Sequence, residues 1–358
     1  MNIVYYMHID WGWIKQRPHF ISEELSKDNN VSVLYTKAFH RDDKCDNDTS
    51  FVRPYGVLHI PGWHKYEFIK KINIFFTRFI VSNKLRAIKP EVIILSHPEL
   101  LSFIPKKYYN IISYDCMDDY YSMDKNEDTL KDEKVLVSKA RHIFTSSESL
   151  KNKLIKRHNA NSHIIHVVRN GYDGLAYEGK YEKNADGMFH ICYIGTISTW
   201  LDMDLIIKII DRYKDVVIDL VGPMEPGREE YFIKYSNSQR LVFHGKIEHN
   251  KLEEIVRKMD VLIMPFVVND IIESVDPVKL YEYINFDRNI VTVHYNEINR
   301  FKDFVHFYQS EEELLKIIGN LLIDNTCKYS LEEKEKFLSL NTWTKRKEEI
   351  IEILKANY

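Results

Sequence analysis

The sequence predicts an α/β protein with two domains, each built on a doubly wound parallel sheet. Short apolar runs rich in β-branched residues alternate with helical stretches from end to end, which is typical of repeated βαβ units. The 358 residues exceed what one hydrophobic core usually serves, so two domains are expected. A polar stretch at residues 174–187 lacks an aliphatic cluster and predicts the linker between them.

The first domain is expected to span residues 1–173. Its strands are predicted near residues 2–6, 31–36, 91–95, 109–113, 141–145 and 163–168. Its clearest helices are predicted at residues 18–26, 66–88 and 147–157. Pro18 occupies the first turn of the first helix, and Ser146 or Ser147 is expected to cap the third.

The second domain is expected to span residues 188–340 and to repeat the alternation. Its strands are predicted near residues 189–194, 215–221, 241–243, 261–265 and 289–293. Its helices are predicted at residues 202–212, 249–258, 277–285 and 311–322. A last helix at residues 342–356, within the segment 341–358, ends the chain.

The segment after the apolar run 261–266 has the layout of an anion-binding helix start. Asp276 is expected to be the N-cap, with Pro277 at the first helical position. Unpaired backbone N–H groups and the helix dipole favour an anion there, beyond the carboxyl end of a strand. Lys279 and Glu282 share one helix face and supply a cation for phosphate and a carboxylate for sugar hydroxyls. This predicts a nucleotide-sugar site, and an ordinary surface ion pair is the alternative.

Six further segments follow one another in an order that is informative when they are taken together. They are 11–19 (W-G-W-I-K-Q-R-P-H), 114–119 (Y-D-C-M-D-D), 170–173 (N-G-Y-D), 193–196 (Y-I-G-T), 243–245 (F-H-G) and 264–266 (M-P-F). With the helix at 277–285, they resemble the GT-B glycosyltransferases, specifically retaining family 4 and related bacterial surface-polysaccharide transferases. The resemblance implies two Rossmann-like domains facing across a cleft. The first would bind the acceptor, the second the nucleotide sugar, and the C-terminal helix would pack back on the first.

The resemblance also identifies donor-binding residues. Glu282 matches the second glutamate of the family's E-x7-E motif, which accepts hydrogen bonds from the nucleotide ribose. Ser274 stands in place of the first glutamate, and the usual glycine after the helix is absent at residues 285–287. Backbone and side-chain donors at the other strand ends extend the set. Nucleotide-sugar contacts are expected at Gly12, Thr196, Ser198, Lys246, Ile247, Ser274, Val275, Asp276, Lys279 and Glu282.

Three residues of the first domain are candidates for catalysis. Asp115 is expected at the carboxyl end of a strand, where many family members carry a histidine near the reacting sugar; capping the next turn is the alternative. His97 ends another strand, with a purely structural role as its alternative, and Asp118 is the third candidate. Asp10 and Arg17 are predicted to contact the acceptor, although Arg17 would equally suit a pair with an acidic neighbour.

Neither a metal nor a cofactor is expected. Asp202 and Asp204 form a D-x-D, the metal site of another glycosyltransferase fold, but they open a predicted helix, where acidic residues are favoured by the dipole. Lys279 and helix N-termini are expected to stabilise the leaving diphosphate instead.

The composition excludes several other functions. A net charge of −3 argues against nucleic-acid binding, which normally needs a basic domain. Cys45, Cys116, Cys192 and Cys327 lack the spacing of zinc ligands or of a disulfide framework. Residues 1–6 are predicted to form a strand without signal-peptide features, and no apolar run approaches about 18 residues. We therefore predict a cytoplasmic protein with no nucleic-acid partner.

Residues 63–89 suggest a location at the inner face of the cell membrane. The segment carries seven lysines and arginines against one acid, Glu67, interleaved with phenylalanines and isoleucines. A basic amphipathic helix of this kind is typical of contact with a membrane surface. The alternative is that Phe75 and Phe79 pack into the domain core, so that the basic residues lie on the solvent-exposed face of the helix.

Together these features predict a glycosyltransferase with a UDP- or GDP-linked sugar as donor and a growing cell-surface glycan, free or lipid-linked, as acceptor. The glycan would be of the capsule, O-antigen, or teichoic or teichuronic type. The resemblance implies retention of configuration. Two alternatives remain: a nucleotide-sugar epimerase-like enzyme of the same fold, or a non-catalytic partner subunit, which would suit the missing glutamate and glycine.

Overall fold

The computed structural model divides the chain into two compact units, Met1–Asp173 with Thr342–Tyr358, and Gly174–Asn341. The residues that it describes are 1–13, 15–37, 52–58, 66–174, 177, 180–235, 239–248 and 251–356. Ile14, Cys45, residues 63–65 of the predicted membrane segment, part of the predicted linker and the first residues of the helix predicted at 249–258 lie outside this set.

The first unit holds a parallel sheet of the doubly wound type. Its described strands are β1 (Asn2–Met7), β2 (Asn30–Thr36), β3 (Arg53–Val57), β4 (Val92–Leu95), β5 (Ile112–Cys116), β6 (His142–Thr145) and β7 (Ile165–Val167). They lie in the order β3-β2-β1-β4-β5-β6-β7, with all neighbours parallel. The four-residue strand β4 and all of β5 and β6 are buried, as expected of apolar strands covered on both faces. The strand order reverses between β1 and β4, which is where such sheets bind ligands.

Helices cover this sheet on its two faces. They are α1 (Arg17–Ser26), α2 (Glu67–Ile88), α3 (Tyr120–Asp124), α4 (Glu127–Lys139) and α5 (Glu148–His158). Ser147 caps α5, as predicted, because its Oγ accepts the Leu150 N–H over 3.1 Å. Pro18 lies in the first turn of α1, also as predicted, where its missing N–H costs nothing.

The second unit repeats the architecture. Its described strands are β8 (Phe189–Ile194), β9 (Val216–Val221), β10 (Leu241–Gly245), β11 (Val261–Met264), β12 (Asn289–Val293) and β13 (Val305–Tyr308). They lie in the order β10-β9-β8-β11-β12-β13, so the switch point falls between β8 and β11. The helices are α6 (Met203–Arg212), α7 (Glu229–Tyr235), α8 (Leu252–Val256), α9 (Val278–Asn285), α10 (Glu311–Ile323) and α11 (Leu331–Ser339). The predicted α/β class with two doubly wound parallel sheets is confirmed.

The C-terminal helix α12 (Trp343–Lys355) belongs to the first unit. The Trp343 N–H donates to the Tyr172 carbonyl over 3.0 Å, and the Trp343 ring stacks on Phe20 with centroids 5.0 Å apart. Arg346 Nε donates to the Asn170 carbonyl over 3.0 Å. Gly171 permits this approach, since a Cβ there would lie 2.8 Å from the Trp343 nitrogen. The C-terminal helix therefore crosses back, as the resemblance implies.

Several elements differ from the sequence prediction for identifiable reasons. Strand β3 was not predicted because Pro54 and Gly56 interrupt its pattern, and Pro54 is tolerated since β3 is an edge strand. Strand β5 begins at Ile112 because residues 106–111 form a 3-10 helix, so Asp115 lies within the strand rather than after it. Helix α4 was not predicted because its thirteen residues bury few apolar side chains.

No helix among the described residues is both long enough and apolar enough to span a bilayer.

Candidate active site

Glycine backbones bring the strand ends of the second unit together. The Gly195 N–H donates to the Val221 carbonyl over 2.7 Å, and the Gly222 N–H donates to the Gly245 carbonyl over 2.8 Å. Gly222 has φ +139°, and a Cβ on it would overlap the Gly195 carbonyl group. Only glycine permits this contact. The ends of β8, β9 and β10 therefore meet backbone to backbone beside the switch point.

Lys279, in the first turn of α9, reaches this glycine cluster. A Cβ on Gly195 would overlap its Cε and Nζ atoms, so the lysine side chain fills the space that the glycine leaves. Its Nζ lies 5.6 Å from the ring centroid of Tyr193 and 5.9 Å from that of Phe266. Burial lowers the pKa of Lys279, and the Glu282 carboxylate partly offsets that shift. The lysine is thus a half-buried cation at the carboxyl edge of the sheet.

The rings of Tyr193 and Phe266 do not neutralise this cation. Among the described residues, no carboxylate lies within 4.0 Å of the Lys279 Nζ. Ser198 adds a second polar group without a partner, since its side chain is fully buried and its Oγ has no hydrogen bond within the described chain. Buried polar groups are normally satisfied, so these two groups are where a polar ligand is expected.

The segment before α9 has protein partners. Ser274 Oγ donates to the Asp270 carbonyl over 3.2 Å, and the Val275 carbonyl accepts from the Tyr295 hydroxyl over 3.2 Å. The buried Asp276 carboxylate accepts from the Tyr281 hydroxyl over 3.1 Å, and Arg300 Nη1 approaches it to 3.5 Å. These hydrogen bonds hold the loop before α9 in place.

The boundaries of α9 differ slightly from those predicted. Its N-cap is Pro277 rather than Asp276, because Pro277 still has an extended backbone with ψ 115°. At the other end, Asp287 has φ +56° and its carboxylate lies 2.7 Å from the Lys334 ammonium. Asp287 therefore takes the left-handed conformation just after the helix, in the stretch where the resemblance predicts a glycine that this sequence lacks.

Tyr283 is a positioning residue that the sequence analysis missed. Its hydroxyl accepts the Ile194 N–H over 2.8 Å and lies 3.3 Å from the Ile194 carbonyl. This fixes α9 to the end of β8, and hence fixes Lys279 to the glycine cluster.

The remaining residues predicted to contact the nucleotide sugar in this unit lie on the same edge of the sheet. Thr196 is half-buried after β8, and after β10 Lys246 is exposed and Ile247 is half-buried.

In the first unit, Asp115 is the centre of a buried network. Its carboxylate accepts from Arg17 Nε at 2.9 and 3.1 Å, and from the Tyr5 hydroxyl. Arg17 Nη1 in turn donates to the Arg169 carbonyl over 3.0 Å and to Asn170 Oδ1 over 3.2 Å. Arg17 thus pairs with an acidic residue, which was the alternative to contact with the acceptor.

A cluster of rings lies at the switch point of the first sheet. The His97 ring follows β4 and lies 4.4 Å from the Tyr120 ring and 5.0 Å from the His8 ring, which follows β1. His8 Nδ1 lies 3.0 Å from Ser96 Oγ, and the Tyr120 hydroxyl donates to the Ser96 carbonyl over 2.7 Å. Burial, with a smaller effect of His97, lowers the pKa of His8 to about 3. His8 and Tyr120 were missed because only the strand order brings them beside His97.

Asp118 is a half-buried carboxyl group with a raised pKa. Burial raises its pKa to about 6; Arg17 opposes that shift, and the Asp115 and Asp119 carboxylates add to it.

Asp10, which was predicted to contact the acceptor, builds a turn, since its Oδ1 accepts the Gly12 N–H over 2.9 Å. Gly12, which is predicted to contact the nucleotide sugar, therefore already has an acceptor for its N–H.

The D-x-D acids behave as helix-start residues. Asp202 is the N-cap of α6, because its Oδ1 accepts the Leu205 N–H over 2.9 Å, and Asp204 lies in the first turn. No group of three or more His, Cys, Asp or Glu side chains in the described ranges is arranged to hold a metal ion.

The two sheets and their strand orders define the GT-B fold of the glycosyltransferases. No family model matches the sequence, and no curated protein sequence matches it. The lipopolysaccharide outer core galactosyltransferase WaaB is similar over 100% of both chains, with a TM-score of 0.71 and 12% identity. Anabaena HepE in complex with UDP covers 99% of this chain and 100% of its own, with a TM-score of 0.69 and 12% identity. Sucrose-phosphate synthase from Thermosynechococcus elongatus covers 99% and 98%, with a TM-score of 0.75 and 13% identity.

Proposed function

We propose that the protein is a glycosyltransferase that moves a sugar from a nucleotide diphosphosugar onto a growing cell-surface glycan. The position of Lys279 carries this proposal. A half-buried ammonium without a carboxylate partner among the described residues costs free energy, which a bound diphosphate would offset. The N-terminus of α9 lies one turn or less away and adds its dipole to the same anion.

The other donor contacts follow from the same edge of the sheet. Glu282, one turn after Lys279, accepts hydrogen bonds from the ribose, and the unpartnered Ser198 hydroxyl donates to the diphosphate or sugar. The likeness to HepE, solved with UDP, supports a UDP-linked donor, and a GDP-linked donor is the second candidate.

Leaving-group stabilisation in this proposal needs no metal. Lys279 and the α9 N-terminus supply the positive charge, and Asp202 is used as a helix cap. Retention of configuration is proposed from the resemblance to family 4. The enzyme would act mainly by positioning the donor and stabilising the departing diphosphate.

We assign the acceptor to the switch point of the first unit. The half-buried rings of His8 and His97 lie there against the buried ring of Tyr120, and His8 is neutral at physiological pH because its pKa is about 3. Such a surface suits the hydroxyls and apolar faces of a sugar ring. Asp118, with a pKa near 6, is the candidate that takes the proton from the acceptor hydroxyl. Asp115 and Arg17 position this edge.

Thermal stabilisation by nucleoside diphosphates tests the donor site. UDP or GDP should raise the melting temperature of the wild-type protein, because only a ligand bound to the folded state does so. The Lys279→Ala variant should lose the shift, and Lys336→Ala, which removes an exposed lysine of α11, should keep it. No shift with any nucleoside diphosphate, together with no donor turnover, would refute the proposal.

Product analysis separates the remaining alternatives. A glycosyltransferase consumes donor in proportion to acceptor, whereas an epimerase-like enzyme releases an altered sugar without any acceptor. Nucleotide binding without turnover under all conditions would indicate a non-catalytic partner subunit. We place the reaction on the cytoplasmic side, at the inner face of the membrane.

A further inference from the structure

Helix α2 packs on the first unit through an unusual stripe. Its buried residues are Asn73, Thr77, Val81 and Leu85, which recur every four positions and so form one face. Two of the four are polar. Ile69, Ile74 and Ile88 also pack against the core, and none of the four phenylalanines of the helix does.

The largest apolar side chains of α2 point the other way. Phe68, Phe75, Phe76 and Phe79 are 73%, 69%, 57% and 62% exposed, respectively. Phe68, Ile72, Phe75 and Phe79 are spaced by four, three and four residues, which places them on one outward stripe. The alternative that Phe75 and Phe79 pack into the domain core is therefore wrong. Contiguous apolar surface of this kind marks an interaction site.

The charge around this stripe is positive. Residues 67–89 carry six lysines and arginines against Glu67 alone, in a chain whose net charge is −3. Lys70 pairs with Asp128 over 2.7 Å, and Arg78 Nε donates to the Ser102 carbonyl over 3.0 Å. Lys71, Arg86 and Lys89 are exposed and form no ion pair with any residue that the structure describes. Several cations therefore remain available to an anionic partner.

We infer that the outward face of α2 lies on an anionic phospholipid surface, with Phe68, Phe75, Phe76 and Phe79 inserted among the headgroups. An amphipathic helix with aromatic residues on one face and lysine and arginine beside them is the arrangement that binds at the plane of such an interface. Charge complementarity and the apolar stripe act on the same partner. This contact with anionic lipid rests on the membrane location given in the proposed function. It does not depend on the donor chemistry.

A second copy of the chain fits this face less well. Four phenylalanines exposed to this degree offer about 500 Å², whereas a stable interface buries about 800 Å² on each partner. A symmetric pair would also bring two positively charged helices together, which electrostatic repulsion opposes. A bilayer surface requires no shape complementarity, and binding to it scales with the apolar area buried together with the electrostatic attraction to anionic lipids.

Flotation with lipid vesicles tests the inference directly. The full-length protein should float with vesicles of phosphatidylcholine mixed with phosphatidylglycerol, and not with phosphatidylcholine alone. A Phe75→Gln/Phe79→Gln variant should lose binding by about tenfold or more, since two exposed rings no longer leave water. A Lys71→Glu/Arg86→Glu variant should lose it as well, and high salt should weaken the wild type.

Matched controls use exposed residues of the second unit. Ile233→Gln removes a side chain that is 74% exposed, and Lys336→Glu reverses an exposed charge; both variants should float like the wild type. Nucleotide-induced thermal stabilisation should be unchanged in the α2 variants, which separates this inference from the donor site. If the Phe75→Gln/Phe79→Gln variant floated as well as the wild-type protein, the inference that α2 lies on the bilayer would be overturned. Failure of the wild-type protein to float with anionic vesicles would also overturn the inference. If sedimentation then showed a dimer that the same substitutions dissociate, the outward face of α2 would be a contact between two copies of the chain.

Discussion

Arg17 and Asp115 form a buried ion pair, with Nε and Nη2 of the arginine each 2.9 Å from Oδ1 of the aspartate. The two side chains are 3% and 1% exposed. The pair joins the first turn of α1 to the end of β5, and Tyr5 of β1 donates to the same carboxylate. This geometry commits the charge of Asp115 to the arginine. We therefore expect Asp115 to position the carboxyl edge of the first sheet and not to exchange protons with substrate.

The Asp115→Asn variant should mainly lose stability. It leaves the Arg17 guanidinium buried without its counter-charge, and breaking a buried pair costs about 3–5 kcal/mol. The melting temperature should fall, while turnover per folded molecule should fall by much less than the loss of about a hundredfold expected of a catalytic residue. Both quantities are to be measured on one preparation. A hundredfold loss of turnover at an unchanged melting temperature would return Asp115 to the list of catalytic residues.

The Glu282→Ala variant should bind nucleoside diphosphates more weakly without unfolding. The ribose loses hydrogen bonds to a charged acceptor, which corresponds to about 1.5–3 kcal/mol. Calorimetric titration with UDP and GDP measures the change, and Glu335→Ala on α11 is a control because that side chain is exposed. An unchanged dissociation constant for both nucleotides would contradict the assignment of Glu282.

Transfer activity should persist in excess EDTA. The diphosphate is assigned to Lys279 and the α9 N-terminus, and Asp202 is engaged as a helix cap. Initial rates with and without the chelator check this. Complete loss of activity that manganese or magnesium restores would show that a metal contributes, and Asp202→Ala and Asp204→Ala would then be the variants to assay.

Asp118 should impose a pH dependence on both stability and rate. Its pKa is about 6 in the folded protein against 3.8 in the unfolded chain, so the folded state binds the proton more tightly. The stabilising effect of that proton is fully present below pH 3.8 and is lost as the pH rises through 6. The Asp118→Asn variant should therefore lack this decline when unfolding free energies are compared between pH 4 and pH 7.

The rate should change in the opposite direction. If Asp118 takes the proton from the acceptor, kcat/KM falls as the pH drops below about 6, because the carboxylate is then protonated. Asp118→Asn should remove this acidic limb together with most of the turnover, at an unchanged donor dissociation constant. An identical pH profile in wild type and variant would exclude Asp118 as the base.

Local patterns predicted the elements that have a continuous apolar run or a clear start signal. Strand β11 is a continuous, fully buried apolar run, and α9 has a proline at its start, so their positions follow from the sequence. The partner of Asp115 could not be predicted, because Arg17 is 98 residues away and no spacing connects the two. Nor could the orientation of α2, since two of its faces are apolar and only the packed neighbours determine which is buried.

The parallel bridge between Tyr172 and Thr342 has a consequence for the order of folding. The chain leaves the first unit at Asp173 and re-enters it beside the point of departure, so the second unit is topologically an insertion into the first. During synthesis the inserted unit leaves the ribosome ahead of α12, which follows it in the chain. Until Trp343 arrives, Phe20 and Gly171 lack the surface against which they pack. The part of the protein made first is thus the part finished last.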